Sequence, residues 1–199
     1  MKNNSTWNQW IAPIVVLVAI CLVITFALAE TNSFTAPVIA ANEKATADQA
    51  RTELLSDGDA FTQYDGELIP ATSDGKCHVE EVYTADNGAG VVITVVTKSF
   101  GGDLTEMIGI DKDGAITGVK VTKHADTAGL GTKAHDPAHV VNYVGVKELN
   151  STKAKEETAT IGEQNDGAWY ITGATISSNA VHYGVHEALA QFEAMGGEQ

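Results

Sequence analysis

Two short stretches carry residue types that suit binding a phosphorylated, flat-ringed ligand. The first is Thr172-Gly173-Ala174-Thr175-Ile176-Ser177-Ser178, directly ahead of a helical pattern. Small residues let a backbone approach a ligand closely, and Thr and Ser hydroxyls can bond the unpaired N–H groups of a first helical turn. A phosphate placed there would meet those N–H groups and the positive end of the helix dipole. A helix start capped by Ser and Thr is the plainer reading of the same residues. The second stretch is His124-Ala125-Asp126-Thr127-Ala128-Gly129-Leu130-Gly131. It follows a predicted strand, at a sheet end where ligand loops collect. Its glycines on either side of Leu130 would let backbone groups and one apolar side chain pack on a ring, or they make an ordinary connection.

Other candidate ligating residues carry less. His182 and His186 are four apart, as are His135 and His139, a spacing that can bind a metal ion. No acidic third ligand is fixed by the spacing, and we assign no metal. The cysteines are Cys21, in an apolar run, and Cys77, in the polar remainder, so they should not pair. Two cysteines cannot build an iron–sulfur or zinc site by themselves. Cys77 reads as a small, partly buried apolar residue.

The elements that must position these stretches begin with an anchor. Ile11 to Ala29 is 19 residues without a charge, about what ~30 Å of hydrocarbon requires. Trp7 and Trp10 precede it, where aromatic rings favour the interface. Ala27-Leu28-Ala29 has small residues at cleavage spacing, but the run exceeds a signal core of ~7–15 residues, and we read a retained anchor. Lys2 lies before the span and Glu30 is the first charge after it, which sets residues 1–10 in the cytoplasm and the rest outside. Residues 30–56 connect this transmembrane helix at 11–29 to a domain at 57–199. Within the connection Ala36 to Leu55 predicts a helix with Pro37 at its start, stopped by Ser56-Asp57-Gly58-Asp59.

From Cys77 the pattern turns to strands. His78–Thr84 and Val91–Phe100 flank Asp86-Asn87-Gly88-Ala89-Gly90, and Leu104–Ile110 and Ala115–Thr122 flank Asp111-Lys112-Asp113-Gly114, two hairpins. A short helix is expected over Pro137–Leu149 with Asp136 as its cap, and a strand over Glu157–Ile161. Ile176–Met195 predicts an amphipathic helix whose apolar stripe is Ala180, Val181, Val185, Ala188, Leu189 and Phe192, ended by Gly196-Gly197. There are no repeats. The fold class is α+β: antiparallel hairpins with flanking helices behind one membrane helix. A formal charge of −14, with Arg51 the one arginine, excludes a nucleic-acid surface, which needs clustered cations. An acidic surface serves solubility.

In order and spacing, Thr35-Ala36-Pro37 after the span, His124 to Gly131, and Thr172 to Thr175 resemble the FMN-binding domain family. Within it they resemble the G subunit of the Rnf ion-translocating electron-transport complex, a relative of the C subunit of the sodium-pumping NADH:quinone reductase. The resemblance covers nearly the whole chain. It implies FMN attached to Thr175 through a phosphoester, installed outside the membrane by a flavin transferase. It implies that Thr172, Gly173 and Ala174 support the phosphate, and that Asp126, Thr127, Gly129, Leu130 and Gly131 line the isoalloxazine. It also implies membrane partners, the other Rnf subunits, in a complex that couples ferredoxin oxidation and NAD reduction to ion movement. Two positions depart from the pattern. Trp169 stands where the transferase motif has an acid, the nearest being Asp166, and Trp169 or Tyr170 could stack near the flavin or sit in the core. Ala128 stands where relatives often have Pro. The alternatives are a freestanding anchored extracellular flavoprotein and a non-redox binding module.

Overall fold

A computed structural model describes residues 10–157 and 169–196. Lys2, Trp7, Asp166, Gly197 and residues 158–161 of the expected strand lie outside the described residues, and Glu157 itself is not in a strand.

The first helix, α1 (Ala12–Leu54), runs 43 residues with Pro37 in its interior. The expected helix start at Ala36 is therefore absent; the apolar span and the Ala-rich segment after it are both helix-compatible, and α1 runs through both. Pro37 removes one backbone bond, and just before it the Thr35 hydroxyl donates to the Thr31 carbonyl at 2.9 Å. By length and composition α1 can cross a membrane. The chain divides into two compact units, Met1–Ala45 and Thr46–Gln199.

The second unit is built on five antiparallel strands in sequential order: β1 (Phe61–Gln63), β2 (Cys77–Ala85), β3 (Gly90–Ser99), β4 (Gly102–Asp111) and β5 (Ile116–Lys123). Four of these were legible as hairpins; β1 is three residues long and pairs with Tyr83–Ala85. Strand β3 is buried on both faces over most of its length, which is why Val91-Val92-Ile93-Thr94-Val95-Val96 reads as a near-continuous apolar run, broken only by Thr94, rather than an alternation. Val91, Ile93 and Val95 face a core completed by Val181, Val185, Ala188, Leu189 and Phe192 of the last helix, α3 (Thr175–Ala194). Val92, with Met107 and Ala85, faces Ala50, Leu54 and Leu55 at the end of α1. There Arg51 bonds Asp48 at 2.5 Å and Glu81 at 3.1 Å and lies 3.6 Å over the Tyr83 ring.

The helix expected over Pro137–Leu149 is shorter. Asp136 caps it as predicted, accepting from the Ala138 amide at 2.9 Å. However, α2 covers only Pro137–Val140, followed by a 3-10 turn at Val141–Tyr143. Gly145 (φ +86°) then turns the chain so that its amide donates to the Ile116 carbonyl at 2.8 Å, a sheet-edge bond that competes with helix propagation. Cys77 is fully buried, and burial raises its thiol pKa far above the usual range.

Candidate functional site

The chain reaches α3 through a tight turn in which Gly173 adopts φ +90°, a region closed to most side chains. The Ala174 amide donates to the Ile171 carbonyl at 2.9 Å, and Ala174 becomes the residue before the first turn. Hydroxyl capping of that turn, expected from the Ser/Thr-rich sequence, does not occur. Ser178 instead accepts from the Ile171 amide at 2.9 Å, and no side chain caps the helix. The first-turn amides thus keep the positive end of a 20-residue helix available to an anion. Thr175 itself is exposed.

The loop after β5 folds back against this turn. Its Gly129 (φ +76°) donates from its amide to Thr132 Oγ1 at 2.9 Å, and residues 131–135 form a 3-10 turn. Gly131 is the contact point. A Cβ there would lie 2.9 Å from the Asp126 Cβ and 3.0 Å from Ser177 Oγ, so only glycine lets the loop lie this close to α3. Asp126 fastens the loop from behind, since its carboxylate accepts from Ser99 Oγ at 2.7 and 2.8 Å and from the Gly101 amide at 3.0 Å.

Between the two stretches lies a cavity of about 310 Å³. Thr127, Leu130 and Gly131 form one side, residues 173–177 the other, and Phe100 from the β3–β4 turn a third. Large apolar side chains stand open to solvent around it: Phe100 is 69% exposed, Ile176 55% and Leu130 47%. That is costly unless something flat and apolar covers them. An apolar rim beside an uncapped helix start fits a ligand with a flat ring and a phosphate.

The structure therefore brings together Thr175, Gly173, Ala174, Thr127, Leu130 and Gly131 of the residues singled out in sequence. Thr172, Gly129 and Asp126 are adjacent but do not line the cavity, and the Asp126 carboxylate is turned into its own hydrogen bonds. Ile176 and Ser177, which belong to the first stretch but were given no individual role, also line the cavity, and Phe100 lines it without having been singled out. For Phe100 the available signal was a large aromatic beside the turn glycines Gly101 and Gly102. Trp169 is a core residue, 2% exposed, its ring 5.0 Å from Tyr143. Tyr170 packs half-buried against the same core.

The histidines serve other contacts. His182 is buried, with Nδ1 3.0 Å from the Tyr143 hydroxyl and Nε2 3.0 Å from the Ser151 carbonyl and 3.2 Å from Glu157 Oε2. His135 lies 4.2 Å, ring to ring, from His124 and 3.7 Å from Asp126 Oδ2, and burial first and His124 second hold its pKa below the usual value. Among the described residues no group of three His, Cys, Asp or Glu is placed to hold a metal ion.

Residues 99–190 match the family described as FMN-binding domain, a range that contains every wall of the cavity. The G subunit of the Na+-translocating ferredoxin:NAD+ oxidoreductase complex of Acetobacterium woodii is 34% identical, over 89% of this chain and 89% of its own. This chain belongs to the G-subunit family of ion-translocating oxidoreductase complexes. The likeness holds across relatives named for different ions. The G subunit of a proton-translocating ferredoxin:NAD+ oxidoreductase complex from Clostridium ljungdahlii is 26% identical over 96% of both chains. The G subunit of an ion-translocating oxidoreductase complex from Methanosarcina acetivorans is 29% identical over 92% of this chain and 95% of its own. Near-complete coverage extends the family likeness through the apolar segment of α1 as well as the FMN-binding domain.

Proposed function

We propose that this chain is the covalent-FMN electron-transfer subunit of a membrane-bound, ion-translocating ferredoxin:NAD+ oxidoreductase (Rnf) complex. In this reading FMN is held by a phosphoester to Thr175. The observation that carries it is the exposed Thr175, which stands at an uncapped helix start on the wall of an apolar-rimmed cavity. The first-turn amides and the Gly173-Ala174 turn would hold the phosphate, and Thr127, Leu130, Gly131 and Ile176 would bound the ring. Bound flavin supplies the redox chemistry, and the protein supplies position, water exclusion and electrostatics. Thr172 and Gly129 shape the two turns, and Asp126 places a buried carboxylate directly behind the Gly131 wall, which disfavours added negative charge on the ring side. A flavin transferase installs the group, and the other membrane subunits of the complex are the electron partners. A covalent tether suits an extracytoplasmic domain, where lost cofactor could not readily be replaced.

Native protein made alongside its transferase should show a fluorescent band after denaturing electrophoresis. Its Thr175-containing peptide should carry the mass of FMN less one water. The Thr175→Ala variant should lose all of the adduct; an adduct that survives this substitution rules out the site.

A further inference from the structure

The turn between β3 and β4 forms a third wall of the cavity and is fixed by a contact across the domain. Ser99 Oγ lies 2.7 and 2.8 Å from the two Asp126 oxygens, and the Gly101 amide donates to Oδ1 at 3.0 Å. The side chain of Asp126 is fully buried, so these bonds are shielded from water. The two backbones also touch: a Cβ on Gly101 would collide with the Ala125 carbonyl and the Asp126 amide, so glycine is required for this approach. Phe100 sits between the two tied residues. Its side chain does not enter the core; it is 69% exposed and lines the same cavity as Leu130 and Thr175. Two tied neighbours and a large solvent-facing ring suit a ligand-covering residue, because a backbone fixed in advance need not be ordered on contact.

We infer that Phe100 contacts the face or edge of the bound ring, and that Ser99 and Asp126 are positioning residues which hold it there. The inference rests on the FMN reading above. It gives Asp126 a role different from lining the ring, and it assigns Ser99, Phe100 and Gly101 to the site.

Contact can be read photochemically. An electron-rich indole quenches an excited flavin only at close range, whereas a phenyl ring does not. The Phe100→Trp variant, made as the full chain with its transferase and read per bound flavin, should lose flavin fluorescence several-fold. Adding Ser99→Ala should restore most of that emission by freeing the turn, while Ser99→Thr, which keeps the hydroxyl, should leave it quenched. Phe100 is on the surface, so its substitution leaves the fold intact, and unchanged melting temperatures serve as the control. Emission from Phe100→Trp equal to wild type overturns the ring contact. Quenching that persists with Ser99→Ala overturns the positioning role. Failure of the FMN reading shows separately, as wild-type protein without the adduct on Thr175.

Discussion

Glu106 lies on β4 with no exposed surface, and among the described residues neither of its carboxyl oxygens has a hydrogen-bond partner. The nearby Thr97 hydroxyl is likewise buried without one. A charged carboxylate there would cost several kcal/mol in lost hydration, so burial pushes the Glu106 pKa well above the carboxylate range and the folded protein holds it neutral. In the unfolded chain the same group titrates near ~4.3. Above that pH the unfolded state sheds a proton that the folded state keeps. The stability tied to this proton is full below about pH 4.3 and drains away as pH rises through the folded pKa, by up to ~1.4 kcal/mol per pH unit. Glu106→Gln keeps the shape and removes the titration. The melting temperature of wild type minus that of the variant should therefore fall as pH rises through the range above about 4.3. A flat difference across that range would mean that the carboxyl is already ionised in the fold.

Helix α3 is placed by the same carboxyl. Gly184 stands mid-helix, where glycine costs about 1 kcal/mol against alanine, yet a Cβ at Gly184 would overlap Glu106 Oε1 and lie 3.2 Å from the Thr97 methyl. Gly184→Ala should therefore destabilise, by about 1–3 kcal/mol in denaturant unfolding, although propensity alone predicts a gain. Glu106→Ala in the same chain should recover part of the loss, since the two sites share one space; strictly additive effects would dissociate them. This contact also marks the limit of what was legible beforehand. The hairpin at Asp113-Gly114 and the stripe from Ala180 to Phe192 are local patterns; the hairpin forms and every residue of the stripe is buried. Strand β1 and the early end of α2 at Val140 depend on pairings that no single window of sequence contains. The site divides in the same way. Thr175 and the glycines beside Leu130 are visible as motifs, whereas Phe100 joins them only through a tie spanning 27 residues. Asp126 was read as ring-lining because its motif is contiguous, but its carboxylate points to Ser99.

At the scale of the whole chain, the reading above requires that the Thr46–Gln199 unit lie outside the cytoplasm and that the apolar part of α1 be retained. The charge asymmetry about the span supports this orientation: Lys2 precedes it, and Glu30 is the first charge to follow. The native cysteines make the orientation directly measurable. Cys77 is buried and its thiol pKa is raised, so it reacts poorly, and Cys21 lies within the apolar stretch of α1. Neither should react with a membrane-impermeant maleimide while the protein is folded in its membrane. Ser56 is exposed just beyond the end of α1, and Ser5 precedes the span. In intact cells or spheroplasts, Ser56→Cys should label and Ser5→Cys should not; permeabilising the membrane should make both label. Labelling of Ser5→Cys alone in intact cells would put the cavity in the cytoplasm, away from the compartment in which the transferase is proposed to act. Labelling of Ser56→Cys in protein whose intact mass lacks the first 29 residues would replace the anchor with a cleaved leader. Both results would leave the fold standing and remove the membrane geometry on which transfer to neighbouring subunits depends.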